Sequence, residues 1–453
     1  MLKVGSLLLP YPFHLSSLSY PYTMKRSFLL LAGSLLTWLP IHADRYTDTA
    51  EKHLNWAISN RADSILAHAT PEVKQALPAD QLNSIWKMLV MQFGTLESKE
   101  AWETTDLGDG LTLCRRLLHF KNRTLNVNIV LNRELQLSGI SFTPAIEEKM
   151  RHEVDAKPLP AGITEQELNV EHNNISLPGT LTLPECASAN QQVPVVVLLG
   201  GSGPTDRDGT LGPNHPLRDL AHGLALQGIA SLRYDKRTKA HQADFAEVSG
   251  KRTTLETEYV EDALVALEKV RNLPEIDKKR VFLAGHSLGG TVLPLIARKA
   301  GKEVAGMIVL AGLARPMWEA ATEQLRYMVS LQETDPQRID SMAESLLKQM
   351  LQLLPEDYLQ SIDNYHPLQT VKKLRKLPML FVQGGTDYQV TQEDLALWKQ
   401  ACRRNKRAQF AFFPDLDHLF RPQAKKAVPS DYQKEGTLSK EVVEAVAKFV
   451  QKD

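Results

Sequence analysis

The feature that most constrains the fold is a series of short apolar runs that alternate with helical patterns beyond residue 190. The first run, Val193–Leu199, is rich in β-branched residues and ends at two glycines. Such a run fits a parallel strand that is buried on both faces. The pattern predicts further strands near 229–234, 281–286, 306–311, 378–383 and 408–413, and helices near 216–227, 256–271, 288–300, 391–403 and 439–451. Their alternation predicts right-handed βαβ crossovers and an α/β fold with a doubly wound, mostly parallel sheet.

This alternation stops between Gly312 and Lys376. Apolar residues at helical spacing occupy the segment instead, namely Trp318, Leu325, Met328, Leu346, Leu347, Met350 and Leu354. An insertion between two strands, at the carboxyl edge of such a sheet, lies over the ligand crevice. We therefore interpret 313–376 as a helical lid.

The N-terminal part of the chain has a different pattern. Apolar residues at spacings of three and four predict helices over 47–70 and 77–92. Residues 111–143 then alternate between apolar and polar, which is typical of antiparallel strands with one buried face. Together these patterns predict a small α+β domain over 44–149 without catalytic motifs.

Between the two regions the composition indicates a connecting segment. Pro158, Pro160 and Gly162 lie among charged residues, and such residues interrupt helices and strands. We predict a linker over 150–166 and a larger domain over 167–453.

The first residues resemble a targeting segment. From Met24, the basic residues Lys25 and Arg26 precede the apolar run Phe28–Leu39, and a short stretch ending at Ala43 follows. This order is typical of a secretory signal peptide that is cleaved after a small residue. The apolar run is shorter than the roughly 20 residues that a membrane-spanning helix needs.

We therefore predict that residues 1–43 are a signal region, with the translation start at Met24. The mature chain is expected to be exported, to the periplasm or medium of a bacterium, without stable membrane insertion. An uncleaved membrane anchor is the alternative.

Charge and cysteine content exclude several function classes. Lys plus Arg and Asp plus Glu both number 53, so the chain has no overall basic field for nucleic acid. Its three cysteines, Cys114, Cys186 and Cys402, allow at most one intramolecular disulfide and no thiolate-rich metal site. We expect buried free thiols, and we predict neither a metal nor a cofactor.

The strongest catalytic signal is a Gly-x-Ser-x-Gly motif around Ser287. It follows the apolar run Val281–His286 and precedes the helical pattern 288–300. Gly285 and Gly289 suit a turn so sharp that side chains there would clash with backbone. The turn exposes the serine at a helix N-terminus, where backbone N–H groups favour developing negative charge.

A serine nucleophile needs a base and an orienting acid, which in this kind of sheet follow in the order Ser, acid, His. Asp387 follows a predicted strand and two glycines, and His418 lies on the loop after the next strand. We predict that Ser287, Asp387 and His418 are catalytic. Asp415 and Asp417 compete as the acid, but they lie on the histidine's own loop.

Two backbone N–H groups are expected to bind the oxyanion. One is the amide of Leu288. The other comes from the glycine-rich loop Gly200–Gly209, where we favour Ser202, with Gly203 as the second choice. This loop lacks the Lys-Ser/Thr of a P-loop and the Gly-x-Gly-x-x-Gly spacing of a dinucleotide site.

Charged residues cluster on this loop and after the next strand. Residues 206–208 are Asp-Arg-Asp, which could contact substrate, but loop-ordering salt bridges and turn caps are the favoured interpretation. Residues 233–237, with the sequence Arg-Tyr-Asp-Lys-Arg, either line the pocket or brace the loops.

With these motifs, residues 167–453 resemble the α/β-hydrolase superfamily. The runs at 200–209 and 233–237 are similar to bacterial esterases of the dienelactone-hydrolase and prolyl-oligopeptidase-like branch. The region 44–149 resembles the DUF3887 type of domain. The resemblance implies a serine carboxylesterase that acts on small-molecule esters with short acyl chains. The family's usual His-Gly pair is here Gly200-Gly201, a departure that concerns the second oxyanion donor.

Two other functions stay open at this point. The first is a serine peptidase or amidase of the prolyl-oligopeptidase-like branch, although 44–166 is too short for the β-propeller that such relatives carry. The second is an exported ligand-binding protein with a vestigial hydrolase domain. The complete Ser287, Asp387 and His418 set argues against the second function.

Overall fold

A computed structural model describes residues 41–76, 79–108, 110–144, 158–172, 175–241, 252–352 and 354–452. The described residues fall into two compact units. The first unit contains those up to Pro144, and the second contains those from Pro158 onward. Each unit has a hydrophobic core of its own.

Helices form the first part of the N-terminal unit. They are α1 (Ile41–Ile58), α2 (Ala62–Ala67), α3 (Pro71–Ala76) and α4 (Ala79–Phe93). The sequence predicted one helix over 47–70, which is wrong because the chain turns between α1 and α2. Asn60 has a φ of 53°, a left-handed conformation that is typical of a helix end and that asparagine tolerates.

An antiparallel sheet completes this unit. Its strands are β1 (Leu96–Lys99), β2 (Glu103–Gly108), β3 (Leu111–Phe120), β4 (Arg123–Leu131) and β5 (Leu137–Pro144). The order is β1-β3-β4-β5, and β2 also pairs with β3. The meander predicted over 111–143 is confirmed as β3 to β5, with alternate residues of β4 buried against the helices. β1 and β2 are mostly exposed, so they lack the alternation that would have revealed them.

The second unit contains a short hairpin of β7 (Val170–His172) and β8 (Ile175–Leu177), and it is built on an eight-stranded sheet. Its strands are β6 (Ile163–Glu167), β9 (Gly179–Pro184), β10 (Val193–Leu199), β11 (Ala230–Tyr234), β12 (Ile276–His286), β13 (Gly306–Leu310), β14 (Met379–Gly384) and β15 (Ala408–Phe413). The order is β15-β14-β13-β12-β10-β11-β9-β6. β10 to β15 pair in parallel, whereas β9 and β6 are antiparallel additions at one edge. The mostly parallel sheet is therefore confirmed.

The edge strand β6 changes the expected boundary of this unit. We predicted a linker over 150–166, but Ile163–Glu167 pairs with β9 and belongs to the sheet. Only Ile163 of β6 is buried, so the strand has no apolar run to identify it. Its Glu165 carboxylate accepts hydrogen bonds from the buried Arg233 and from His222, which anchors the strand.

Helices cover both faces of this sheet. Odd-numbered residues of β10 pack in a core with α7 (Asp262–Arg271) and α8 (Leu288–Ala300), and even-numbered ones pack in a second core with α5 (Pro216–Leu226) and α14 (Lys440–Gln451). The described residues outside the insertion also form the α-helices α6 (Arg237–Ala240) and α13 (Gln392–Ala401). A wide π-helical turn, Glu256–Glu261, leads into α7. Burial on both faces explains why the strands are continuous apolar runs.

The described residues of the insertion between β13 and β14 form four helices. They are α9 (Met317–Ser330), α10 (Pro336–Gln352), α11 (Glu356–Asp363) and α12 (Pro367–Val371). The Tyr365 hydroxyl donates a hydrogen bond to the Thr291 carbonyl of α8 at 2.9 Å. This contact attaches the insertion to the helix that follows Ser287. The role of the insertion as a lid stays a prediction.

The predicted signal region, 1–43, lies outside the described residues except where α1 begins at Ile41. Over the part of the chain that the structure describes, no helix has both the length and the apolar character of a membrane span. All three cysteines are free. Cys114 and Cys402 are buried as expected, whereas Cys186 is exposed because it lies in the loop after β9.

A pH dependence follows from His53 in α1. Its ring is fully buried and neither nitrogen has a hydrogen-bond partner. Burial, and to a smaller extent His68, lowers its pKa to about 4. The folded unit therefore holds the neutral ring, and it loses stability as the pH falls from about 6.5, the ordinary value, towards 4.

We expect His53→Leu to remove this loss, which amounts to at most about 1.4 kcal/mol for each pH unit. Urea unfolding of both proteins at pH 7 and pH 5, followed by tryptophan fluorescence, measures it. An equal loss of stability in both proteins would contradict the role of His53.

Candidate active site

Ser287 lies on the sharp turn between β12 and α8. Its φ is 55° and its ψ is −121°, a backbone conformation that residues other than glycine rarely adopt. The Ser287 N–H donates to the Leu310 carbonyl of β13 at 2.8 Å, and its carbonyl accepts from the Thr291 N–H at 3.0 Å. The neighbouring strand and the helix thus hold the turn that the motif predicted.

The two motif glycines permit this turn. A Cβ atom on Gly285 would lie 2.5 Å from the carbonyl group of Gly289. A Cβ atom on Gly289 would lie 2.4 Å from the Gly200 carbonyl oxygen. Backbone therefore packs directly on backbone at both positions, which confirms the steric reason for the glycines.

Asp387 and His418 form a direct pair at the carboxyl edge of the sheet. The His418 Nδ1 lies 2.7 Å from the Asp387 Oδ2, and both side chains are buried. The other oxygen of Asp387 accepts hydrogen bonds from the backbone N–H groups of Gln389 at 2.7 Å and Val390 at 3.0 Å. The carboxylate is therefore fixed in the orientation that holds the imidazole.

The structure also separates Asp387 from the competing acids. Asp417 accepts the Nε and Nη2 donors of Arg421 at 3.0 and 2.7 Å, together with the backbone N–H groups of Leu419 and Arg421. Asp415 is exposed. Of the three aspartates, Asp387 is the one that contacts His418.

His286 is a residue of this site that sequence reasoning missed. Its ring centroid lies 4.6 Å from that of His418, and its Nε2 lies 2.8 Å from the His418 carbonyl oxygen. Burial, followed by the nearby His418, lowers the pKa of His286 to about 3. The ring is therefore neutral and donates its Nε2 proton to that carbonyl. The sequence signal that could have identified His286 is its position directly before Ser287.

This contact brings the His418 loop beside the Ser287 turn, because His286 and Ser287 are consecutive. Among the residues that the structure describes, no hydrogen bond joins the Ser287 hydroxyl to the His418 ring. Because Asp387 contacts the Nδ1 atom of His418, Nε2 is the ring nitrogen that is available to the Ser287 hydroxyl.

The glycine-rich loop also reaches the serine. A Cβ atom on Gly201 would lie 3.3 Å from the Ser287 Cβ, so the loop backbone passes directly over the nucleophile turn. Ser202, the next residue, is buried. Leu288 lies in the first turn of α8, where backbone N–H groups have no acceptor within the helix.

The charged residues at 207 and 208 pair with charged residues of β6, of β11 and of the segment that follows β11. Arg207 contacts Asp235 at 3.1 Å and Glu167 at 3.0 Å, and Arg233 contacts Asp208 at 3.2 Å. Asp206 also orders this loop, because its carboxylate accepts a hydrogen bond from the Thr210 N–H at 2.9 Å. Loop-ordering contacts, the favoured interpretation of residues 206–208, are therefore confirmed.

The sheet, its crossovers and the serine on its strand-to-helix turn define the α/β-hydrolase class. Residues 257–421 match the α/β-hydrolase fold family, and residues 50–140 match DUF3887, a family of unknown function. Esterase EstD of Thermotoga maritima is 30% identical over 403 residues, which cover 87% of this chain and 92% of EstD. The chain belongs to the α/β-hydrolase superfamily.

Solved structures are similar over a smaller part of the chain. Est1E of Butyrivibrio proteoclasticus, with ferulic acid bound, has 18% identity and a TM-score of 0.43, covering 62% of this chain and 97% of Est1E. A dienelactone hydrolase of Anabaena variabilis has 16% identity and a TM-score of 0.38, covering 64% of this chain and 97% of that enzyme.

Proposed function

We propose that this chain is a serine carboxylesterase that hydrolyses esters with short acyl chains through Ser287, His418 and Asp387. The observation that carries the proposal is the buried 2.7 Å contact between His418 and Asp387, on the loop that His286 ties to the serine turn. The name of the relative EstD supports an ester as the substrate.

In the first half of the reaction, the Ser287 oxygen attacks the acyl carbon while its proton passes to the Nε2 atom of His418. The Asp387 carboxylate, which accepts from Nδ1, holds the ring and stabilises the imidazolium that forms. The backbone N–H groups of Leu288 and Ser202 bind the oxyanion. Collapse of this intermediate breaks the bond to the alcohol, which leaves with the His418 proton.

Water completes the reaction on the acyl-enzyme. His418 removes a proton from the water, whose oxygen attacks the acyl carbon and forms a second oxyanion in the same place. The ester bond to Ser287 then breaks, and the serine oxygen takes the proton back from His418. The products are a carboxylic acid and an alcohol, and the enzyme returns to its starting state.

The first test is hydrolysis of nitrophenyl esters from acetate to palmitate, beside a matching set of aminoacyl amides. We expect the ester rate to be highest at short acyl chains and to fall by at least about a thousandfold in Ser287→Ala, because the nucleophile is lost. Ser231→Ala is the matched control, since this buried serine of β11 lies outside the site and its hydroxyl has no partner.

Full ester hydrolysis by Ser287→Ala would refute the serine mechanism. A rate on amides that exceeds the rate on esters would instead favour the peptidase or amidase alternative. No hydrolysis of either set would favour the ligand-binding alternative.

The acid is tested separately. We expect Asp387→Asn to lower kcat by about 10³- to 10⁴-fold, because the amide cannot hold His418 in the tautomer that accepts the serine proton. Asp415→Asn is the matched control on the histidine's own loop, and its kcat is expected to stay at the wild-type value. A fully active Asp387→Asn variant would exclude Asp387 as the acid.

We also propose that the enzyme is exported, to the bacterial periplasm or medium. The support is the sequence pattern from Met24 to Ala43 alone. We expect the processed protein from the expressing bacterium to begin at Asp44, which N-terminal sequencing measures. An N-terminus upstream of the apolar run would favour the retained anchor.

A further inference from the structure

A buried polar cluster contacts backbone carbonyl groups of the glycine-rich loop. It is centred on Lys236, which follows β11, and on Tyr259 in the π-helical turn. Lys236 is 3% exposed and Tyr259 is 1% exposed. A charged group at such depth needs specific partners, because removing it from water is costly.

The partners of Lys236 include two carbonyl groups of the loop. Its Nζ donates to the Gly201 carbonyl at 3.0 Å, the Gly203 carbonyl at 2.7 Å and the Tyr259 hydroxyl at 2.8 Å. Glu258, which is also buried, balances the charge with a contact of 3.1 Å. The lysine therefore clamps the loop from one side.

Tyr259 contacts the same Gly201 carbonyl. Its hydroxyl accepts a hydrogen bond from the Lys236 Nζ and donates one to the Gly201 carbonyl at 2.6 Å. Burial raises the pKa of Tyr259 well above its ordinary value, so the hydroxyl keeps the proton that it donates. The Gly201 carbonyl thus receives two hydrogen bonds from the same side.

These two hydrogen bonds orient the next amide. The peptide between Gly201 and Ser202 is trans, and in a planar trans peptide the carbonyl and the following N–H point in opposite directions. A carbonyl that is tied to Lys236 and Tyr259 therefore turns the Ser202 N–H away from the cluster. The Gly203 carbonyl is held too, but Pro204 follows it and has no N–H to offer.

The loop lies against the nucleophile at this peptide, since a Cβ atom on Gly201 would be 3.3 Å from the Ser287 Cβ. We propose that Lys236 and Tyr259 are positioning residues that hold the Gly201 carbonyl and thereby aim the Ser202 N–H at the oxyanion formed on Ser287. This inference rests on the proposed serine mechanism and deepens it. Neither residue touches the substrate in this arrangement.

The primary test is Tyr259→Phe, which removes one hydroxyl and leaves the ring in place. We expect kcat on a short nitrophenyl ester to fall about tenfold with KM unchanged, because an oxyanion donor acts mainly in the transition state. Removing such a donor altogether lowers kcat by about 10²- to 10³-fold, so a donor that is only held less firmly is expected to lower kcat by less.

A second readout separates positioning from folding. A trifluoromethyl ketone adds to a catalytic serine and places an oxyanion in the hole. Its affinity for Tyr259→Phe is expected to fall by the same factor as kcat. The melting temperature, measured in parallel, reports any purely structural effect.

Tyr365→Phe is the matched control. It removes another tyrosine hydroxyl, partly buried, that donates to a backbone carbonyl, that of Thr291, on a helix rather than on the loop. We expect its kcat and its affinity for the ketone to equal those of the wild type, whatever the change in melting temperature.

If Tyr259→Phe does not fold, the charge-balanced double variant Lys236→Met with Glu258→Gln replaces it, with the same two readouts.

Wild-type kcat and ketone affinity in the folded variant would overturn the inference, as would a lowered melting temperature alone. An inactive Ser287→Ala beside an unaffected Tyr259→Phe refutes only the positioning role. A fully active Ser287→Ala refutes the proposed mechanism itself.

Discussion

The close approach of backbone segments at the carboxyl edge of the sheet is the constraint on which the site depends. Gly285 packs against the backbone of Gly289, and Gly289 in turn packs against the Gly200 carbonyl. These contacts leave no room for a wider turn, so Ser287 has a φ of 55° despite its side chain. The same packing fixes the distance between the serine turn and the glycine-rich loop, and both proposed oxyanion donors depend on that distance.

Around this backbone core, charged side chains are used to order loops. Arg207, Arg233 and Lys236 are each paired with carboxylates from other segments, and Lys236 and Arg233 are almost fully buried. A buried ion pair contributes little net stability, because desolvation offsets the attraction between its charges. What these pairs supply here is a definite geometry for loops that carry few apolar contacts of their own.

Local sequence patterns predicted most of the larger unit and failed in specific places. Apolar strands such as Val193–Leu199 were found because burial on both faces requires continuous apolar residues. β6 was missed because only Ile163 of that strand is buried, and its pairing with β9 depends on polar partners. Helices were correctly expected within 47–70. The break between them at Asn60 is a change of backbone conformation, which helical periodicity does not indicate.

The sequence by itself determined the order of Ser287, Asp387 and His418 and the strand-and-turn setting of each, because glycines and apolar runs are local signals. Only the tertiary structure decided that His418 pairs with Asp387 rather than Asp417, since Arg421 occupies Asp417. The tertiary structure also decided that Lys236 and Tyr259, which are 35 and 58 residues from Gly201 in the chain, hold its carbonyl. Contacts of this kind follow from the order in which strands pair, and strand order is set by the packing of the whole sheet.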